Sequence, residues 1–120
     1  MPKARSTVLF LTDIINAIES IKKHTTGMDF EDFSQDEKTK DAVIFRLEVI
    51  GEATKNLPEE LKDQYPKVQW KLAMGMRDRL VHGYFGVEDT VVWETITHDI
   101  PPFKKEIRKI LDQLQKDHGN

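Results

Sequence analysis

Two guanidiniums, a carboxylate, an imidazole and a phenol fall within Met76-Arg77-Asp78-Arg79-Leu80-Val81-His82-Gly83-Tyr84. These groups suit proton transfer next to an anion. Histidine titrates near neutral pH and can move a proton, and arginine holds phosphate or carboxylate through forked, charge-assisted hydrogen bonds. A carboxylate one helical turn from the histidine can fix the imidazole tautomer. On this reading Arg77 and His82 are the candidate catalytic residues and Asp78 orients His82. Gly83 suits a helix stop, since glycine reaches left-handed dihedrals freely, and Gly86 keeps the following turn open.

Spacing tests whether these groups can meet. At about 100° per residue Asp78 and His82 share a helix face, as do Arg77 and Tyr84, whereas Arg77 and His82 stand about 140° apart. One regular helix does not bring the arginine onto the histidine. Three routes do: the arginine curls round the axis, the last turn loosens at Gly83, or a second copy of the helix packs across a dimer axis.

Each group also has a plainer use. His82 can cap carbonyls at a helix end, Arg79 and Asp78 can be surface charges, and Tyr84 with Phe85 can be core aromatics. His24, His98 and His118 are scattered and no cysteine accompanies them, so neither a metal site nor a cofactor is expected. No glycine-rich phosphate loop, serine elbow or zinc-protease motif is present.

The elements that must position the motif follow from apolar periodicity. Val8, Leu11, Ile14, Ile15, Ile18 and Ile21 predict a helix over residues 6–24, ending before Gly27. Asp29-Phe30-Glu31-Asp32-Phe33 reads as an acidic connector with two phenylalanines turned to the core. Ser34 and Glu37 have capping-box spacing for a second helix over residues 35–56, whose charged start reads as a solvated face. Gly51 within it predicts close helix packing. Pro58 suits the first position of a short helix that Pro66 ends. Trp70, Ala73, Met76 and Leu80 define the third main helix, which carries the motif at its end. Val87, Val91, Val92, Ile96 and Ile100 give a fourth, which Pro101 and Pro102 should break or kink, and Phe103, Ile107, Ile110, Leu111 and Leu114 give a fifth before a frayed end. The fold class is an all-α bundle of four to five main helices.

A chain of 120 residues fits a single domain spanning 1–120, with a modest core that would gain from an oligomer interface. The absence of cysteine removes disulfides, thiolate metal sites and a cysteine nucleophile, and fits a cytoplasmic protein. The N-terminal apolar stretch, interrupted at Thr12 and Asp13, is too short and polar for a signal peptide or membrane span. A net charge of −3 makes phosphate recognition local, with Lys67, Lys71, Arg77 and Arg79 the nearby cations.

Arg77, four residues, His82, one residue and Tyr84 reproduce an Arg-x4-His-x-Tyr order, flanked by Leu47-Glu48-Val49-Ile50-Gly51-Glu52-Ala53, Leu57-Pro58-Glu59-Glu60-Leu61, His82-Gly83-Tyr84-Phe85-Gly86 and Asp99-Ile100-Pro101-Pro102. In all of these the chain resembles the HepT toxins, a branch of the HEPN superfamily, over nearly its whole length. The resemblance implies a HEPN-type helical homodimer with Arg77 and His82 facing a cleft. It implies a metal-independent RNA endonuclease that leaves a 2′,3′-cyclic phosphate; because the 2′-OH is then the nucleophile, DNA should resist, and of the nearby cations Arg79 and Lys71 are the candidate further phosphate contacts. It also implies a partner, a minimal nucleotidyltransferase antitoxin that adds AMP to Tyr84. Asp78 stands at the polar position following the arginine, where asparagine is also common in HEPN motifs. The alternative is a noncatalytic HEPN module that binds a nucleotide or the transferase.

Overall fold

Between Val8 and Ile21 an apolar residue recurs every third or fourth position, and α1 (Pro2–Thr25) forms on that pattern. Leu11, Ile14, Ile15, Ile18 and Ile21 are all buried, as the spacing predicts. The computed structural model describes the backbone of residues 2–83 and 88–118 and the side chains of residues 6–77 and 88–117. Gly27 stands at a φ of 81°, so the turn out of α1 needs a residue without a β-carbon.

The acidic stretch expected to be a connector is instead a short helix, α2 (Phe30–Gln35). Asp29 accepts from the Asp32 N–H at 2.8 Å while the Asp32 carboxylate accepts from the Asp29 N–H at 3.2 Å, a reciprocal capping box. Of the two phenylalanines expected in the core, Phe33 is fully buried and Phe30 is only half-buried; they pack on Trp93 with ring centroids 5.2 and 6.4 Å away.

The expected Ser34 and Glu37 capping pair does not form, because Ser34 belongs to α2 and donates to Asp89 at 3.2 Å. Asp36 caps α3 (Glu37–Asn56) instead, accepting from the Thr39 N–H at 3.0 Å, and that hydrogen bond holds its carboxyl below the ordinary aspartate range. The charged start of α3 is more than a solvated face. Lys40 pairs with Asp89 at 3.3 Å and so ties α3 to α6 (Asp89–Glu94).

Pro58 is the N-cap of α4 (Glu59–Gln64), one position earlier than expected. Buried Lys62 donates to the Thr54 carbonyl at 3.3 Å near the end of α3 and pairs with Glu59 at 2.9 Å. The Trp70 indole N–H donates to the Lys62 and Tyr65 carbonyls at 3.2 and 3.0 Å, which pins the first residue of α5 (Trp70–Gly83) to the end of α4.

Pro101 and Pro102 do not break the last rod. From α6 the chain passes through a π-helical stretch, Thr95–Asp99, directly into α7 (Ile100–His118), with both prolines in its first turn. Neither proline has an N–H for the Thr97 or His98 carbonyl, and the widened turn, in which the Ile100 N–H reaches Thr95, accommodates the loss. The expected fourth and fifth helices are therefore continuous.

Phe103, Ile107, Ile110 and Leu111 are buried, and Lys104 of α7 pairs with Glu19 of α1. α3 lies between α1 and α5, and α1 in turn carries α7. Among the described residues the fold is all-α, and α5 is the third of four long helices. No helix among them is long and apolar enough to cross a membrane. The end expected to fray, Asp117-His118-Gly119-Asn120, is helical through His118, with Asp117 accepting from the Gln113 amide at 3.1 Å, and Gly119 and Asn120 lie outside the described residues.

Candidate active site

The motif helix is held by its own apolar face and by α3. Trp70 and Met76 are buried, Ala73 and Met74 half-buried, and Trp70 meets Phe103 edge to face at 6.2 Å. On the α3 side the contact is at its closest at Gly51. A β-carbon there would lie 2.0 Å from Arg77 Cβ, 2.7 Å from its Cγ and 3.0 Å from the Ala73 carbonyl oxygen. Only hydrogen fits, so the close packing expected at Gly51 is what the fold contains.

The next residue of α3 meets the other end of the same side chain. Glu52 Oε1 lies 3.0 Å from Arg77 Nη2. Glu52 is half-exposed and Arg77 mostly covered, so the pair forms at an edge of the bundle rather than in its core. That edge borders an open cleft of about 400 Å³, within the size range of small-ligand sites. Phe10 and Asp13 of α1, Glu48, Val49 and Glu52 of α3, and Arg77 of α5 are among its lining residues. Its described lining carries three carboxylates and one guanidinium. Two large apolar side chains stand exposed nearby: Leu9, one turn before Asp13, and Phe45, one turn before Glu48 and Val49.

Of the residues expected to act, Arg77 is therefore located in detail. Asp78, Arg79 and His82 belong to α5, which is α-helical through Gly83, so the register angles apply within it. Their side chains lie outside the described residues, as do Tyr84, Phe85, Gly86 and Val87 altogether. Lys67 and Lys71 are exposed and do not line the Arg77 cleft. The sequence did not single out Glu52 as a partner of Arg77. The signal was its position directly after a glycine in mid-helix.

Residues 14–110, from α1 to α7 and including Gly51, Glu52 and the whole motif, match the family described as Ribonuclease HepT-like. The chain belongs to the HepT-like ribonuclease family. It is 45% identical over 116 residues, 97% of this chain and 99% of the relative, to a candidate RNase of Methanocaldococcus jannaschii. It is 46% identical over 106 residues, 88% of this chain and 96% of the relative, to the probable ribonuclease HepT of Thermococcus cleftensis. No solved structure matches the chain significantly. The HepT-like bundle thus presents Arg77 from the third long helix, paired with Glu52 of α3 at the edge of a cleft.

Proposed function

We propose that this HepT-like chain is the toxin of a toxin–antitoxin pair and acts as a metal-independent RNA endonuclease in the cytoplasm. The observation that carries the reading is Arg77 at the edge of an open cleft, heading an Arg-x4-His-x-Tyr order in a chain of a ribonuclease family. His82 takes the proton of a ribose 2′-OH as the oxygen attacks the adjacent phosphorus. The P–O5′ bond breaks, O5′ is protonated, and a 2′,3′-cyclic phosphate and a 5′-hydroxyl result. Arg77 stabilises the charge developing on the phosphate, Asp78 orients His82, and Arg79 and Lys71 hold flanking phosphates. DNA lacks the nucleophile and is left intact.

The working unit on this reading is a homodimer. A second copy brings its own motif to the cleft, answering the wide angle between the Arg77 and His82 positions, and covers Leu9 and Phe45. The antitoxin is a minimal nucleotidyltransferase. With its aid the Tyr84 phenol attacks the α-phosphorus of ATP, pyrophosphate leaves, and the added phosphate obstructs the Arg77 site.

One observation favours a second reading, a noncatalytic module that binds a nucleotide or the transferase. Asp13, Glu48 and Glu52 outnumber Arg77 in the described lining, an unfavourable field for polyanionic RNA around a single copy. Induced expression in bacteria separates the two. The ribonuclease reading predicts growth arrest that Arg77→Ala and His82→Ala each abolish; arrest that survives both substitutions counts against it.

A further inference from the structure

Resting on the ribonuclease reading, we infer that Glu52 is a positioning residue for Arg77, acting with Gly51 as a two-point grip on that side chain. The missing β-carbon of Gly51 admits the Arg77 stem against the α3 backbone, and the Glu52 carboxylate takes the guanidinium 3.0 Å away. Both anchors are consecutive residues of one helix. The packing of α3 on α5 thereby restricts the arginine's own rotamer freedom, which is large when nothing holds it. A phosphate-binding arginine gains most when it is held in place before substrate arrives, because no reorganisation is then needed as charge develops.

Charge separates this role from simple electrostatics. A third carboxylate beside Asp13 and Glu48 weakens the attraction of the cleft for a polyanion. Glu52 therefore works against RNA binding and for arginine placement, and its removal moves the two kinetic constants separately. A residue that only supported the fold would not do this, and a carboxylate that merely competed with phosphate would raise turnover when removed.

The test uses the full chain, an RNA oligonucleotide and three variants. Glu52→Ala should lower kcat roughly tenfold, the scale of a misplaced catalytic group, with KM no higher than that of the parent. Glu52→Gln, whose amide oxygen still accepts from Arg77, should fall between the two. Glu48→Ala removes the same charge from the same cleft without touching the guanidinium and should cost kcat far less than Glu52→Ala. A kcat for Glu52→Ala equal to or above the parent's overturns the inference. The grip is also read without activity, from the Arg77 Nε–H signal in NMR: ordered in the parent and averaged in Glu52→Ala, with equal order in both overturning it. A parent that is inert on RNA yet shows that difference in order removes the ribonuclease reading and leaves the grip standing.

Discussion

Gly51 and Arg77 meet across the α3–α5 seam so closely that a β-carbon on the glycine would lie 2.0 Å from the arginine's own. Gly51→Ala is thus a test of packing against propensity. Alanine gains about 1 kcal/mol of helix propensity over glycine, while forcing an extra carbon into a filled seam costs roughly 1–3 kcal/mol in well-packed sites. Since Arg77 Cβ and the Ala73 carbonyl are near the backbone and cannot swing away, the steric cost should win. Urea denaturation should show a lower midpoint for the variant; an unchanged or higher midpoint would mean that the seam yields.

Trp70 starts the motif helix and donates its indole N–H to two carbonyls of the preceding segment. Trp70→Phe keeps an aromatic ring against Phe103 but removes that donor. The Lys62 and Tyr65 carbonyls keep the Tyr65 and Val68 N–H groups as donors, so the loss is that of the indole hydrogen bond alone, about 0.5–1.5 kcal/mol. A thermal midpoint indistinguishable from the parent's would show that the clasp contributes nothing.

Asp36 gives the pH dependence a definite sign. The Thr39 N–H holds its carboxyl below the ordinary value of 3.8, so the folded state favours the charged form. The stabilisation is present above the unfolded value and is lost as pH falls through the lower folded one. Asp36→Asn, which does not titrate, should therefore melt below the parent at about pH 7, and the gap should narrow at about pH 3. A gap that widens on acidification reverses the assigned sign.

The long helices were legible because periodicity reports burial directly: Leu11, Ile14, Val43, Leu47, Ile107 and Ile110 are all in the core. α2 was not, since six residues are too few to show a period and its phenylalanines are fixed by Trp93, some sixty positions away. Ser34 and Asp36 are both capping residues two positions apart, and only the tertiary contact of Ser34 with Asp89 separates their roles. The proline pair signalled a disturbance correctly, but a π-helical turn absorbed it without a break. At the site, Gly51 announced close packing, whereas Glu52 looked like any exposed glutamate because its partner is 25 positions further along the chain.

Tyr84 carries the proposed switch. Incubation with ATP and the nucleotidyltransferase antitoxin should raise the mass of the parent chain by whole AMP units and leave Tyr84→Phe unchanged. Equal mass gain in both would move the modification to another residue, and no gain with the true partner would remove the switch.

The central claim is that the 2′-OH is the nucleophile and His82 its base. The most direct measurement is mass spectrometry of the products of an RNA oligonucleotide incubated with the purified chain in excess EDTA. The account predicts fragments ending in a 2′,3′-cyclic phosphate, no cleavage where the attacking ribose is replaced by deoxyribose, and no cleavage by a folded His82→Ala variant. Fragments ending in a 3′-hydroxyl, or equal cleavage by His82→Ala and the parent, would contradict it.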